Sequence, residues 1–304
     1  MDVSVIYVNY NTKDLLLNSI SSVFEKTEGV SYEIIVVDNA SSDGSVQLLS
    51  DKYGDKITIL EAGGNLGFGR ANNLGIGRVR GKYIFLLNPD TLLINNAIKI
   101  LFDFLEQNPK TGIAGGNLYY SNGRPAHSFA RKLRKKKESA VINILLTVKY
   151  RLMRRRPDFN YKDKNIKVGY VTGADMMIRK VALLDSGLFD PDFFMYAEDI
   201  ELSVRLTEKG WASYSVPAAR ITHIESASTY IPGVFNERRA ALIANANFLY
   251  YEKVFGPGAA KHYYKERHVY FMLYYILGLG KKKYVFYKKE AETIKNEYNK
   301  WRIK

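Results

Sequence analysis

Short, almost uniformly apolar runs alternate with amphipathic stretches through the first third of the chain. Val3–Val8, Tyr32–Val37, Ile57–Leu60 and Tyr83–Leu87 are rich in β-branched and aromatic residues, a composition that favours strands. Between and after them, Leu15–Phe24, Ser45–Tyr53, the stretch near Arg70–Arg78 and Ala97–Gln107 carry apolar residues at helical spacing. Strands that lack polar alternation are buried on both faces. The pattern therefore predicts an α/β architecture, a mostly parallel sheet covered by helices on both sides. Gly112–Tyr120 predicts a further strand. A basic stretch then interrupts the pattern, which resumes with Val168–Arg179, Phe189–Tyr196, a helix from about Glu198 to Lys209, and Ser213–Val216. From Phe235 to Lys304 the chain reads as helical and amphipathic, rich in Tyr, Lys and Phe.

Polar residues collect just beyond the predicted strand ends: at Asp38, at Asn65 within the glycine-rich loop Gly63–Gly69, and at Asn88-Pro89-Asp90. Open α/β sheets bind ligands at the carboxyl ends of their strands, so this clustering predicts where a site lies.

Composition narrows the chemistry. The absence of cysteine excludes disulfides, a thiol nucleophile and thiolate-held metals, and four histidines leave little room for a multi-histidine metal cage. The longest apolar run, Val269–Gly280, has 12 residues, whereas a spanning helix needs about 20. No signal peptide is evident, which predicts a cytoplasmic protein. The net charge of +14 is segmental: residues 131–156 hold 11 Lys/Arg against Glu138 alone, residues 261–304 hold 12 against four acids, and the remainder is slightly acidic. Nucleic-acid enzymes more often spread basic residues around the cleft, so no nucleic-acid partner is expected. Basic segments beside apolar and aromatic residues suit an anionic membrane surface at the inner face of the cell membrane, or simply a solvated face. For Val269–Gly280, a buried core or homodimer helix is the equal alternative to membrane contact.

Several residue types invite chemistry. Asp38 can accept from ring N–H or ribose hydroxyls of a nucleotide, or simply form a turn. Asp90 suits Mg²⁺ or Mn²⁺, which take one or two protein oxygens and complete their shell with phosphate and water; the alternative is a β-turn aspartate. Glu198 and Asp199 open a helix after Phe193-Phe194-Met195-Tyr196-Ala197, either as acids favoured by the helix dipole or as a general base in an aromatic-walled pocket. His223 is a structural histidine or a single imidazole ligand to a hard ion. Arg70 offers hydrogen bonds to phosphate or ribose from a loop that lacks the Lys-Ser/Thr of a P-loop.

Taken in order, VSVIYVNYNT, VVDNASSDGS, NLGFGRANNLG, LLNPDT, VTGADMMIRK, FDPDFFMYAEDIELSVRL and Gly210-Trp211 resemble the family 2 glycosyltransferases, in particular their rhamnosyltransferase-like branch, over roughly residues 1–255. The resemblance implies the GT-A fold: a Rossmann-like nucleotide half and an acceptor half on one sheet. It implies that Asp38 binds the nucleotide base with Asn9 and Asn11, and that Asn65, Arg70 and Asn72 face the nucleotide. Asn88-Pro89-Asp90 stands where the family has Asp-X-Asp; the first acid is Asn here, which weakens a ribose contact and leaves Asp90 as the metal ligand. Gly173-Ala174-Asp175 would line the sugar or acceptor site, Asp199 after Glu198 would be the base, and His223 would complete the metal site. The implied reaction is an inverting, metal-dependent transfer of a sugar such as rhamnose from a nucleotide-sugar donor to a glycan or lipid-linked acceptor in cell-surface polysaccharide synthesis. The alternative is a nucleic-acid-binding or idle membrane-associated protein on the same fold. The expected organisation is a GT-A domain over 1–255, with a basic insertion at about 131–165, and a basic, aromatic helical extension over 256–304.

Overall fold

A computed structural model describes residues 1–136, 139, 142, 145–146, 149–150, 152–153, 155–224, 235–278 and 285–303. The chain begins with β1 (Val3–Asn9), α1 (Lys13–Lys26), β2 (Tyr32–Asp38), α2 (Ser45–Tyr53), β3 (Thr58–Glu61), α3 (Phe68–Ile76) and β4 (Tyr83–Leu87). It continues through β5 (Thr91–Leu93), α4 (Ala97–Gln107), β6 (Thr111–Tyr119), β7 (Phe129–Ala130), β8 (Ile166–Val168), β9 (Tyr170–Val171) and β10 (Asp175–Arg179). Then come α5 (Lys180–Ser186), α6 (Glu198–Glu208), β11 (Ala212–His223), α7 (Glu237–Phe255), α8 (Ala259–Leu277) and α9 (Val285–Trp301).

The main sheet has the order β3-β2-β1-β4-β10-β6-β11-β5, with β8 also paired to β11. Its first four strands are parallel, as are β6 and β11. β10 is inserted antiparallel between β4 and β6, and β5 and β8 pair antiparallel with β11. The uniform apolarity of the early strands has the predicted cause. Val3, Val5 and Tyr7 of β1 and Ile34 and Val36 of β2 pack with α1, α2 and α4, while Ile6, Ile35 and Val37 pack on the other face with α3, α5 and α6. Both faces are covered, so both side-chain sets must be apolar.

Three predicted elements differ from the structure. Val168–Arg179 is split among the end of β8, β9 and β10 by breaks at Gly169 and Thr172–Ala174; Phe189–Tyr196 is irregular; and Ser213–Val216 lies within the twelve-residue β11. β11 continues past Pro217 through a register shift between Ser215 and Arg220, the kind of irregularity that accommodates a residue without an N–H. Arg179 at the end of β10 is buried and donates to Thr111 O (2.9 Å), Tyr83 Oη (3.1 Å) and Leu105 O (2.6 Å), fastening β10 to the carboxyl end of α4.

The described residues form two compact units. One gathers Met1–Leu133, Asp158–Phe194 and Asp199 through β11; the other gathers the described residues of Arg134–Pro157, Met195–Glu198 and α7–α9. Helix α7 groups with α8 and α9. The buried Phe248 of α7 explains why: its ring lies 5.9 Å from Tyr263, 5.6 Å from Tyr298 and 5.7 Å from Trp301. Of the Val269–Gly280 run, residues 279–280 lie outside the described residues; Phe271 and Tyr274 pack near Tyr287 of α9, at 6.4 and 4.9 Å, whereas Val269, Ile276 and Leu277 are exposed. No helix among the described residues is long and apolar enough to cross a membrane.

Candidate active site

The parallel register of β1 and β2 sets Asn9 opposite Asp38 at the carboxyl edge. Asn9 is fully buried, and its Nδ2, with two hydrogens to share, lies within hydrogen-bond distance of Asp38 Oδ1 (2.8 Å), Ser41 Oγ (3.0 Å) and Ser45 Oγ (2.9 Å). Asp38 Oδ2 accepts the Ser41 amide at 2.8 Å. An ionised carboxylate has about four acceptor positions, so this buried aspartate keeps capacity for another donor. Asn11, in the left-handed region at φ +54°, accepts the Ser42 amide at 2.8 Å, lacing the β1 loop to the β2 loop. Asp43, which the sequence reading passed over, accepts from the Lys13 amide (2.8 Å) and from the Ser45 amide and hydroxyl. Burial opposes its charge, but these hydrogen bonds prevail and hold its carboxyl below the usual carboxylate range.

Asn39 was also missed, although it adjoins Asp38. Its Nδ2 donates to Gly67 O at 3.0 Å, joining the end of β2 to the glycine-rich loop. Within that loop Asn65 Oδ1 accepts the Gly67 amide at 3.0 Å. Gly67 has φ +81°, and a Cβ there would sit 2.0 Å from Phe194 O, the atom that accepts the Phe68 amide at 2.9 Å. The glycine is required by both the backbone angle and the close approach. Arg70 is turned to the same segment, donating from Nε to Pro191 O at 2.5 Å. Asn72 is buried and bonds back to Phe68 O at 3.0 Å, so it serves the helix interior. Asn73 exchanges two hydrogen bonds with the Phe189 backbone.

Antiparallel pairing of β5 with β11 sets His223 opposite Thr91, beside Asp90. His223 Nε2 lies 3.3 Å from Asp90 Oδ1, and both side chains are largely buried. His223 Nδ1 is buried with no hydrogen-bond partner, a state that buried polar atoms seldom keep. No group of three or more His, Asp or Glu side chains able to hold a metal occurs among the described residues, leaving this pair as the candidate donor set.

The Thr172–Asp175 segment connects these parts. The Asn88 amide donates to Ala174 O at 3.0 Å, and the Gly173 amide donates to Asp199 Oδ2 at 3.2 Å. Asp199 Oδ1 also accepts the Ile200 amide at 2.8 Å, in the first turn of α6, where the helix dipole favours a carboxylate. Glu198, the first residue of α6, is buried. The two residues before it, Tyr196 and Ala197, have φ +73° and +65°. Consecutive left-handed residues other than glycine cost about 1–2 kcal/mol each and mark a strained approach to the helix. Asp175 does not line an open surface: it is fully buried, with Oδ2 accepting the Gly116 amide at 2.7 Å. Burial pushes its carboxyl well above the usual range, against the Gly116 amide and the nearby Thr172 hydroxyl. Neither Asp175 Oδ1 nor Thr172 Oγ1 makes a hydrogen bond of ordinary geometry.

Comparison with known proteins bears on the family and the fold. Residues 4–185 match the family model described as glycosyl transferase family 2. The chain is 28% identical over 244 residues to N-acetylglucosaminyl-diphospho-decaprenol L-rhamnosyltransferase of Mycobacterium tuberculosis, covering 74% of this chain and 76% of that protein. It is 24% identical over 229 residues to rhamnosyltransferase WbbL of Escherichia coli, covering 73% and 83%. Among solved structures it resembles GalNAc-T7 crystallised with UDP, GalNAc and Mn²⁺, with a TM-score of 0.62 at 16% identity over 83% of this chain. It also resembles TarS of S. aureus, with a TM-score of 0.55 at 14% identity over 89% of this chain. The chain spans 48% and 44% of those two structures, and the likeness is one of fold.

Proposed function

The chain belongs to glycosyl transferase family 2 and is a glycosyltransferase of GT-A fold; from that premise we propose an inverting, metal-dependent transfer. The donor is a nucleoside-diphosphate sugar, with rhamnose the first candidate because two relatives are named as rhamnosyltransferases. The acceptor is a hydroxyl of a glycan or lipid-linked saccharide, in keeping with the diphospho-decaprenol in the name of the mycobacterial relative.

The observation that carries this reading is the Gly173–Ala174 hub. One peptide segment bonds the Asn88 amide through Ala174 O and the Asp199 carboxylate through the Gly173 amide, placing the Asn88-Pro89-Asp90 turn and the proposed base on either side of two residues. In the proposed reaction Asp199 takes the proton of the acceptor hydroxyl as its oxygen bonds to the anomeric carbon. The bond from that carbon to the donor's phosphate oxygen breaks, and the nucleoside diphosphate leaves with the electron pair. Asp38, held by Asn9 and Ser41, receives the base or ribose. No second carboxylate nucleophile is needed.

Asp90 Oδ1 and His223 Nε2 fit a divalent ion, since donors 3.3 Å apart can both reach one centre. One oxygen and one imidazole suit Mn²⁺ or Mg²⁺ with diphosphate and water completing the shell. When bound, the ion neutralises charge on the leaving diphosphate.

Replacing Asp199 by Asn keeps shape and removes basicity. Transfer from nucleotide-linked rhamnose falls by about 10²–10⁴-fold while donor binding persists. Transfer near the wild-type rate would move the base elsewhere, with Glu198 the first alternative.

A further inference from the structure

The basic stretch carries a feature that its charge concealed. At the described residues 142, 145–146, 149–150 and 152 the chain is helical, and the Met153 amide donates to Lys149 O at 3.0 Å. Five large apolar side chains on and beside this helix are exposed: Ile142 by 57%, Leu145 by 63%, Leu146 by 45%, Leu152 by 80% and Met153 by 49%. At about 100° per residue they fall within roughly one third of the helix circumference. Lys149 shares that arc, where its stem can lie on apolar surface while the ammonium reaches out. The segment is anchored at its start: Arg134 Nη1 donates to the buried Asn247 Oδ1 of α7, its guanidinium lies 5.8 Å from the Tyr250 ring, and Lys136 Nζ donates to Phe255 O at 3.0 Å. The apolar stripe is therefore not what holds the segment to its own unit.

We propose that the exposed apolar residues Ile142, Leu145, Leu146, Leu152 and Met153 form an interfacial docking element that inserts into an anionic phospholipid surface. Charge complementarity selects this occupant. Six Lys/Arg stand at 131–137 and five at 149–156, with Glu138 the single acid across the whole stretch. In the sequence these basic residues flank the apolar positions on both sides, a pattern that attracts anionic headgroups while apolar side chains enter the acyl boundary. The twelve residues from Ile142 to Met153 are too few to span a bilayer, so insertion is confined to the interface. Such a surface holds the enzyme in the plane where a lipid-linked acceptor resides. The inference goes beyond the transfer reading and does not depend on it.

Sedimentation of the full chain with phosphatidylglycerol/phosphatidylcholine vesicles, against phosphatidylcholine alone, tests it without donor or acceptor. Binding is expected to the anionic vesicles only, and to weaken at least about tenfold near 1 M NaCl, where the Debye length is about 3 Å. The double variant Leu145→Glu/Leu152→Glu keeps both exposed positions soluble and is expected to lose partitioning at least about tenfold. Its melting temperature is expected to match the wild type, which shows that folding is not the cause. Ile142→Trp gives an independent readout, a blue shift in emission on anionic vesicles beyond that of Trp211 and Trp301. Equal binding by wild type and double variant, no binding to anionic vesicles, or no blue shift would overturn the proposal. A solution dimer that the double variant dissociates while vesicle binding persists would also overturn it and assign the stripe to a second copy. Loss of transfer by Asp199→Asn with vesicle binding intact would keep the two readings separate.

Discussion

Asp175 shows how a residue of a recognisable motif serves the site from inside the fold. Its carboxyl is fully buried at the start of β10 and shifted upward by burial. Such an acid binds its proton in the folded chain over a pH range where the unfolded chain has lost it. The stability it contributes is fully present below the unfolded value of about 3.9 and is lost as pH rises through the folded value. Each unit of the shift corresponds to about 1.4 kcal/mol. Asp175→Asn retains an acceptor for the Gly116 amide and removes the titration. Between about pH 4 and neutrality its stability in denaturant titrations should fall less steeply than that of the wild type. Identical slopes would show that Asp175 does not carry the pH dependence. Nothing in the letters Gly-Ala-Asp distinguishes a buried acid from one lining a pocket; the packing of β10 between β4 and β6 makes that distinction.

At the scale of elements, the glycine-rich loop and α3 are joined to the Phe189–Phe194 segment through Gly67, Phe68, Arg70 and Asn73. Gly67→Ala meets both a positive φ and the carbonyl of Phe194, whereas Gly63, at φ +71°, has open space around its position. Gly63→Ala should therefore cost about 1–2 kcal/mol from backbone strain alone. Gly67→Ala should cost more, displace the Phe194 carbonyl and weaken donor binding by about tenfold or more. Calorimetric donor titration of both variants checks this, and equal donor affinities would remove the loop from the donor site. The sequence made the loop legible as a place of close backbone approach. It did not show what approaches, because the contact joins segments far apart in the chain.

For the whole molecule, a ligand that binds only the folded state raises stability by RT ln(1 + [L]/Kd), about 2.7 kcal/mol at 100 times Kd. Nucleotide-sugar with Mn²⁺ should raise the melting temperature accordingly. Asp90→Ala should abolish the Mn²⁺-dependent part of the rise, and His223→Ala should reduce it less, because the carboxylate carries the charge. Full-rate transfer by EDTA-treated protein would overturn the metal assignment for both. Vesicles added to the same assay report the docking element independently.

The sequence by itself determined the early strands and helices, the two-sided burial of β1, β2 and β4, and the gathering of Asp38, Asn65 and Asp90 at the carboxyl edge. These follow from local periodicity and from the residue types that strand ends select, which a linear pattern records. Only the tertiary structure decided that β10 runs antiparallel in the middle of the sheet, that His223 meets Asp90 across β5 and β11, and that α7 joins α8 and α9. It alone decided that Ile142, Leu145, Leu146, Leu152 and Met153 of the basic stretch are exposed. Each of these is a pairing between distant segments, or the absence of one. Side-chain periodicity says which face of an element is apolar, and only packing says what, if anything, that face meets.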